Sequence, residues 1–467
     1  MMTSCFGSRL LLVASTFAFF LATPHISFAQ TQPFDDHQNM MDQLGIRKLR
    51  PGPDPKNQST FDEATANRYA DSMPDVLRMK DGTRVTSAAQ WPARRAEIVE
   101  DFEREVYGRI PPDVPAVTWR VTASTRGLSG QTPTLTRTLV GHVDNSAFPK
   151  LSVDIQARVT VPERPEQPVP VMVEISGFGF ASSRPTTVGS STRRRPTSAT
   201  GPSWQDQAIA HGWGYAAINP ASVQPDNNHL TSGIIGLTNK GKPRTPEQWG
   251  ALRAWQWGVS RLIDCFEQHP EWSVDAKRIG VEGLSRYGKA ALVTEAFEPR
   301  IAVGLIGSSG EGGAKLHRHI FGEAVENLAG GEYYWMAGNF IKYGASDPPK
   351  TVADLPVDSH ELIALCAPRP CFISHGVPEH GDANWIDARG SFMAAVLASP
   401  VYELLGAQGL GTHGDYLTEK MPPTLTLMGG QLAWRQHEGG HDVTPNWPAF
   451  FDWVPRYIPT RVAPTSR

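Results

Sequence analysis

Arg278-Ile279-Gly280-Val281-Glu282-Gly283-Leu284-Ser285-Arg286-Tyr287-Gly288-Lys289-Ala290-Ala291-Leu292 is the stretch that decides the fold. An apolar run with strand character leads into a glycine-flanked serine, and an alanine-rich run with helical character leaves it, so the chain turns sharply from strand to helix at Ser285. A hydroxyl on such a turn stands at the carboxyl edge of a sheet. It also lies beside the N-terminus of the next helix, where backbone N–H groups are available to a developing oxyanion. The spacing departs from G-x-S-x-G: Tyr287 holds the second glycine position and Gly288 comes one residue later. The competing reading is a serine that merely caps the helix.

Outward from this turn, short apolar runs at 171–175, 214–218, 279–282, 302–306 and 371–374 alternate with helical patterns at 205–211, 246–268, 286–297 and 388–405. That alternation predicts an α/β fold, a mostly parallel sheet with helices on both faces. Earlier, a helical pattern at 89–107 precedes three alternating runs at 117–123, 135–140 and 151–161, which are expected to add an antiparallel N-terminal edge. Residues 181–201, rich in Ser, Thr and Arg, read as a loop over the sheet.

The chain has 467 residues, 40% of them hydrophobic and 19% charged, which suits a large core and excludes a disordered chain. Its 44 basic and 47 acidic residues leave a net charge of −3, so nothing favours a nucleic-acid partner. Residues 1–29 read as a signal peptide: Arg9 precedes an apolar stretch at 10–22, and Ser27-Phe28-Ala29 suits cleavage, so the mature chain is expected to be secreted or periplasmic. No stretch is long enough to predict a membrane span. Residues 30–57, with Pro51, Pro53 and Pro55, read as a flexible lead-in, or one ordered on contact, without chemistry, and 58–467 as a single domain. Cys265, Cys366 and Cys371 remain after the leader, an odd number without C-x-x-C spacing, and are expected to be buried thiols.

A nucleophilic serine needs an imidazole to take its proton and a carboxylate to orient that imidazole, in chain order serine, acid, histidine. His441, in the glycine-rich loop Gly439-Gly440-His441, fits the base, whereas His437 sits nearer a strand end and reads as structural. Behind the run 371–374, Glu379 and Asp382 are both eligible as the acid.

Four segments together, Gly283-x-Ser285-Arg286-x-Gly288-Lys289, Gly310-x-Gly312-Gly313, Ala367-Pro368-Arg369 and Gly439-Gly440-His441, resemble the glucuronoyl esterases of carbohydrate esterase family fifteen, and its bacterial members most of all. The resemblance spans 168–454 and accounts for the late glycine. It implies an α/β-hydrolase domain that cleaves the ester between (4-O-methyl-)glucuronic acid on xylan and a lignin alcohol, by a serine mechanism with no metal and no cofactor. It also implies that Arg286 stabilises the oxyanion, Lys289 and Glu332 contact sugar hydroxyls, and Trp385 lines the sugar site. Glu323 and Asn327 lie where a further sugar contact is expected, while Trp335 and Trp249 read equally as core. The position of the acid in fungal members is occupied here by Ser308, with Glu311 three residues on. Glu379 is therefore the expected acid, because a long carboxylate five residues beyond Ser374 has the reach; Asp382 and Glu311 are the alternatives. Gly307–Lys315 lacks the spacing of a phosphate loop, and His317-Arg318-His319 lacks a zinc signature. The competing functions are an acetyl xylan esterase, or another carbohydrate esterase, on the same fold and an inert carbohydrate-binding protein. A monomer is expected.

Overall fold

The computed structural model describes residues 34–177, 201–412 and 414–460, so the stretch 1–29 expected to be a signal peptide and nearly all of the stretch 181–201 lie outside the described residues. In chain order the strands are β1 (Lys48–Leu49), β2 (Val117–Ser129), β3 (Thr132–Val143), β4 (Asp154–Pro162), β5 (Val169–Ile175), β6 (Gly214–Ile218), β7 (Val274–Leu284), β8 (Ile301–Gly307), β9 (Ala345–Asp347), β10 (Cys371–His375), β11 (Met428–Gly429) and β12 (Leu432–Gln436). Ten of them form one sheet in the order β11-β12-β10-β8-β7-β5-β6-β4-β3-β2. The six strands from β12 to β6 are mutually parallel. β4, β3 and β2 add the antiparallel edge, and the short β11 closes the other side. This is the α/β-hydrolase arrangement.

The parallel strands are apolar on both faces because both faces are covered. Val171, Val173, Ile279, Val281, Ile301 and Ile306 are buried in the same core as Leu252, Trp255, Val259 and Ile263 of the helix Ala251–Gln268 and Ala290, Ala291 and Val293 of the helix Arg286–Phe297. On the other face Met172, Val303, Leu305 and Phe372 pack with Trp204, Trp447, Phe450 and Trp453. β2, by contrast, is mostly exposed, as an edge strand of an antiparallel hairpin allows.

Of the two readings of residues 30–57, flexible or ordered on contact, the second describes the segment from Asp36 onward. From Asp36 onward this segment is anchored: the helix Asp36–Leu44 buries Met40 against Tyr333 and Ile341, and β1 pairs with β9. Asp36 meets the guanidinium of Arg244 at 3.3 Å, both side chains being buried. Too short and proline-rich to show a period, the segment gains its apolar partners only from residues about 300 positions downstream.

Replacing Asp36 by Ala leaves Arg244 without this anion in the interior and is expected to lower stability by about 3 kcal/mol. A thermal melt checks this, and an unchanged melting temperature would mean that the segment is not anchored through this pair.

Candidate active site

The parallel register of β7 and β8 sets the geometry of the turn at Ser285. Leu284 pairs with Gly307, and the Ser285 N–H donates to the Gly307 carbonyl at 2.9 Å. Ser285 has φ 62 and ψ −126, a conformation costly for a residue with a side chain and kept only where the surroundings enforce it. Two glycines enforce it. A Cβ on Gly283 would lie 2.2 Å from the Tyr287 carbonyl oxygen, and one on Gly288 would lie 2.4 Å from that of Gly307. The second close approach of this turn thus falls at position 288, which is why Tyr287 is tolerated where glycine was expected. The Ser285 side chain makes no capping hydrogen bond, so the reading of it as a helix cap is set aside.

The loop after β12 brings His441 toward this turn. Val443 occupies the space a Cβ at Gly307 would need, and a Cβ on Gly376, just past β10, would lie 2.2 Å from the Gly440 carbonyl oxygen. His437 holds the loop's shape, with Nδ1 accepting from the Gly439 N–H and Nε2 donating to the Asp442 carbonyl. His441 is one-third exposed, and its Nδ1 lies 2.8 Å from Oδ1 of Asp382.

This pairing corrects the expectation for the acid: the carboxylate on His441 is Asp382, not Glu379. The reason lies in the backbone. Residues Pro378–His380 form a 3-10 turn, Gly381 follows at φ 103, and the Asp382 N–H returns to the Val377 carbonyl at 3.1 Å. The chain doubles back, so Asp382 lies under the strand end while Glu379 stands exposed at the tip of the turn. Glu311 is not a candidate either, since it is fully buried and its carboxylate is shared by Lys315, at 2.8 Å, and His317.

Asp382 is 4% exposed. Burial pushes its carboxyl up, but the hydrogen bond from His441, the nearby His375, the Ser308 hydroxyl and the Gly376 N–H together hold it below the usual carboxylate range. Ser308 and Gly376 each donate to Oδ2 at 2.7 Å. Ser308, which the resemblance places where fungal members carry their acid, here donates to the carboxylate on His441. His375, buried behind Asp382, is pushed down to about 4 by that burial and so is neutral at pH 7.

Beside the turn lies a cluster of charges around one indole. Arg286 Nη1 donates to Asp226 Oδ2 at 2.6 Å, and Trp335 Nε1 donates to Asp226 Oδ1 at 2.7 Å. The Arg286 guanidinium and the Lys289 ammonium lie 5.4 and 5.6 Å from the Trp335 ring centre. Lys289 is buried and pairs with Glu323 at 2.8 Å. Glu332 is half-buried, and its carboxyl is raised by burial and by the charge of Glu323. Trp335 thus belongs to the site, whereas Trp249 is core. Asp226 escaped the sequence reading because it sits in an aperiodic loop, and only the fold shows which cation it faces.

Glu323, Glu332 and Trp385 also line a cleft of about 460 Å³ whose other wall is Arg50, Pro51 and Pro55. Phe61 packs on Trp385 at 6.2 Å, and Asn327 donates to the Pro53 carbonyl at 2.9 Å. The lead-in, expected to lack any role in chemistry, therefore forms part of the cleft.

The family model described as "Glucuronyl esterase, fungi" matches residues 244–406. A carbohydrate esterase from an unknown prokaryotic organism is 31% identical over 85% of this chain and 92% of its own length. The 4-O-methyl-glucuronoyl methylesterase 1 of Wolfiporia cocos is 30% identical over 76% of this chain and 78% of its own. Among solved structures, a glucuronoyl esterase of carbohydrate esterase family 15 from Teredinibacter turnerae superposes with a TM-score of 0.80 at 39% identity, covering 90% of this chain and 98% of the other. With the strand-to-helix turn at Ser285, the His441–Asp382 pair and the basic residues that follow the turn, these likenesses make the chain a member of the glucuronoyl esterase family, carbohydrate esterase family 15.

Proposed function

We propose that this protein is an exported serine esterase that hydrolyses esters of glucuronic acid, and that its substrate is the ester between the (4-O-methyl-)glucuronic acid side chains of xylan and lignin alcohols. The observation that carries the reading is the placement of Arg286 and Lys289 around Trp335, with Glu323 and Glu332 alongside, next to the strained Ser285. A uronate offers a ring of hydroxyls to such a set; carboxylates accept from them and the ammonium donates. An acetyl ester has no such ring for these charges, which argues against the acetyl xylan esterase alternative. A strained serine and a hydrogen-bonded His–Asp pair, whose loop packs through Val443 on the Gly307 that anchors the serine turn, argue against an inert binding protein. The leader at 1–29 supports export.

In the proposed reaction Ser285 Oγ attacks the uronate carbonyl carbon while His441 takes the hydroxyl proton. Asp382 holds Nδ1–H, which leaves Nε2 as the nitrogen that takes the proton, and it stabilises the imidazolium that forms. The carbonyl oxygen becomes an oxyanion at the start of the helix Arg286–Phe297, where the first N–H groups have no acceptor within the helix, and the Arg286 guanidinium adds positive charge. Asp226 and Trp335 keep that guanidinium in place. The alcohol leaves with the proton from His441. Water, activated by the same imidazole, then hydrolyses the glucuronoyl ester on Ser285 and regenerates the hydroxyl.

Turnover of benzyl glucuronate beside an acetyl ester tests the proposal, which fails if the acetyl ester is the better substrate. Ser285→Ala is expected to lower turnover by at least roughly three orders of magnitude with the melting transition retained. For the acid, Asp382→Asn should cost roughly 10³- to 10⁴-fold in kcat, while Glu379→Gln should leave kcat within about twofold, as befits an exposed side chain; the reverse ranking would restore Glu379. Lys289→Ala and Glu332→Ala should each lower kcat/KM on the glucuronate ester by roughly ten- to a hundredfold and spare the acetyl ester. Equal losses on both esters would remove these two residues from sugar recognition.

A further inference from the structure

Deeper in the sheet than Ser285, four side chains that the esterase chemistry does not use converge in the interior. They are Glu295 on the helix Arg286–Phe297, Cys366 just past the helix Ser359–Ala364, Cys371 opening β10, and Tyr402 on the helix Ala388–Leu404. Cys371 is in register with Gly304 of β8, and Gly304 with Val281 of β7, well short of the turn at Ser285. All four side chains have 0% exposure. A carboxylate oxygen of Glu295 and the two sulfurs lie within 4.8 Å of one another, and the Tyr402 hydroxyl is within electrostatic reach of all three groups.

Three observations mark this convergence as more than close packing. The Glu295 carboxylate has no hydrogen-bonding neighbour other than the thiols of Cys366 and Cys371, and the Tyr402 hydroxyl has no hydrogen-bond partner, although buried oxygens almost always do. Next, β8 carries a glycine where the carboxylate lies: a Cβ on Gly304 would come within 2.0 Å of Glu295 Oε2, so the strand leaves the space that a side chain would fill. Finally, two guanidinium groups flank the cluster. Arg369 donates to the Glu295 carbonyl at 2.6 Å, and both Arg369 and Arg95 act electrostatically on Cys366. Two cations beside two sulfurs and a carboxylate offset the charge that these groups carry when all are ionised.

We propose that Glu295, Cys366 and Cys371 form a closed binding site for a thiophilic divalent cation of the zinc type, with the Tyr402 oxygen as the fourth donor. Zinc takes thiolates at about 2.3 Å and carboxylates at about 2.0–2.2 Å in a tetrahedron, a span that the observed spread of donor atoms accommodates. On binding, the two thiols and any protonated oxygen ligand release their protons, so no oxidant or reductant is needed. The cation ties the helix that follows Ser285 to β10 and to two other helices. Its role is structural, and it is independent of the esterase reading.

The test uses the full chain, expressed in zinc-supplemented medium and purified without chelator, with metal content measured by mass spectrometry. One zinc per chain is expected, absent from the Cys366→Ser/Cys371→Ser variant. Glu295→Gln, nearly the same shape, guards against misfolding and should bind zinc at least about tenfold more weakly. Loading with Co²⁺ during refolding should produce thiolate-to-cobalt charge-transfer absorption in the original chain only. Less than a tenth of an equivalent of metal, with all four thiols of the full chain free after denaturation without reductant, overturns the proposal in favour of neutral, protonated groups. Two free thiols overturn it in favour of a Cys366–Cys371 disulfide.

Discussion

The active-site geometry depends on one constrained backbone, the turn that holds Ser285 at φ 62. A serine does not rest there by preference. It is held by the hydrogen bond from its own N–H to Gly307, by the close passage of Tyr287 over Gly283, and by the contact of Gly288 with Gly307. Gly307 stands at the centre of this arrangement, because Val443 from the histidine loop fills the space over it. The nucleophile turn and the base loop are thus packed on the same bare backbone, and their relation is fixed by contact rather than by the reach of long side chains.

The carboxylate on His441 comes from the loop after β10, and the Ser308 hydroxyl just past β8 donates to it. A buried carboxylate needs several donors to remain charged, and Asp382 has a histidine, a serine and a backbone N–H. An exposed glutamate at the tip of the same loop lacks that setting. Beside the turn, the Lys289–Glu323 pair and the Arg286–Asp226 pair balance charge around Trp335 and keep both cations in fixed positions. Fixed charges are what recognition and transition-state stabilisation require, because little is then lost to reorganisation.

The N-terminal segment shows the same economy. Its contacts with Tyr333, Ile341 and Arg244 seat it on the body, and the prolines that follow then stand opposite Glu332 and Trp385. A proline-rich stretch has few conformations to lose on ordering, so a short helix and a two-residue strand suffice to hold it as a wall.

Ser285, its strand and its helix were legible in the sequence because local patterns carry them: an apolar run, a glycine-flanked serine and an alanine-rich helix follow one another without interruption. The strand 214–218 and the helix 286–297 match the structure for the same reason. His441 was legible through its glycines. The choice between Glu379 and Asp382 was not, because it turns on a left-handed Gly381 and a doubled-back loop that reverses which carboxylate lies closer to the strand end. Asp226, the cleft wall at Arg50–Pro55 and the convergence of Glu295, Cys366, Cys371 and Tyr402 were equally hidden. Each pairs residues far apart in the chain, and neither periodicity nor spacing records which distant surfaces a parallel sheet brings face to face. The sequence determined the elements and the strand-to-helix turn at Ser285; the tertiary structure decided the partners, because charge pairing and burial depend on distances that exist only once the sheet has formed.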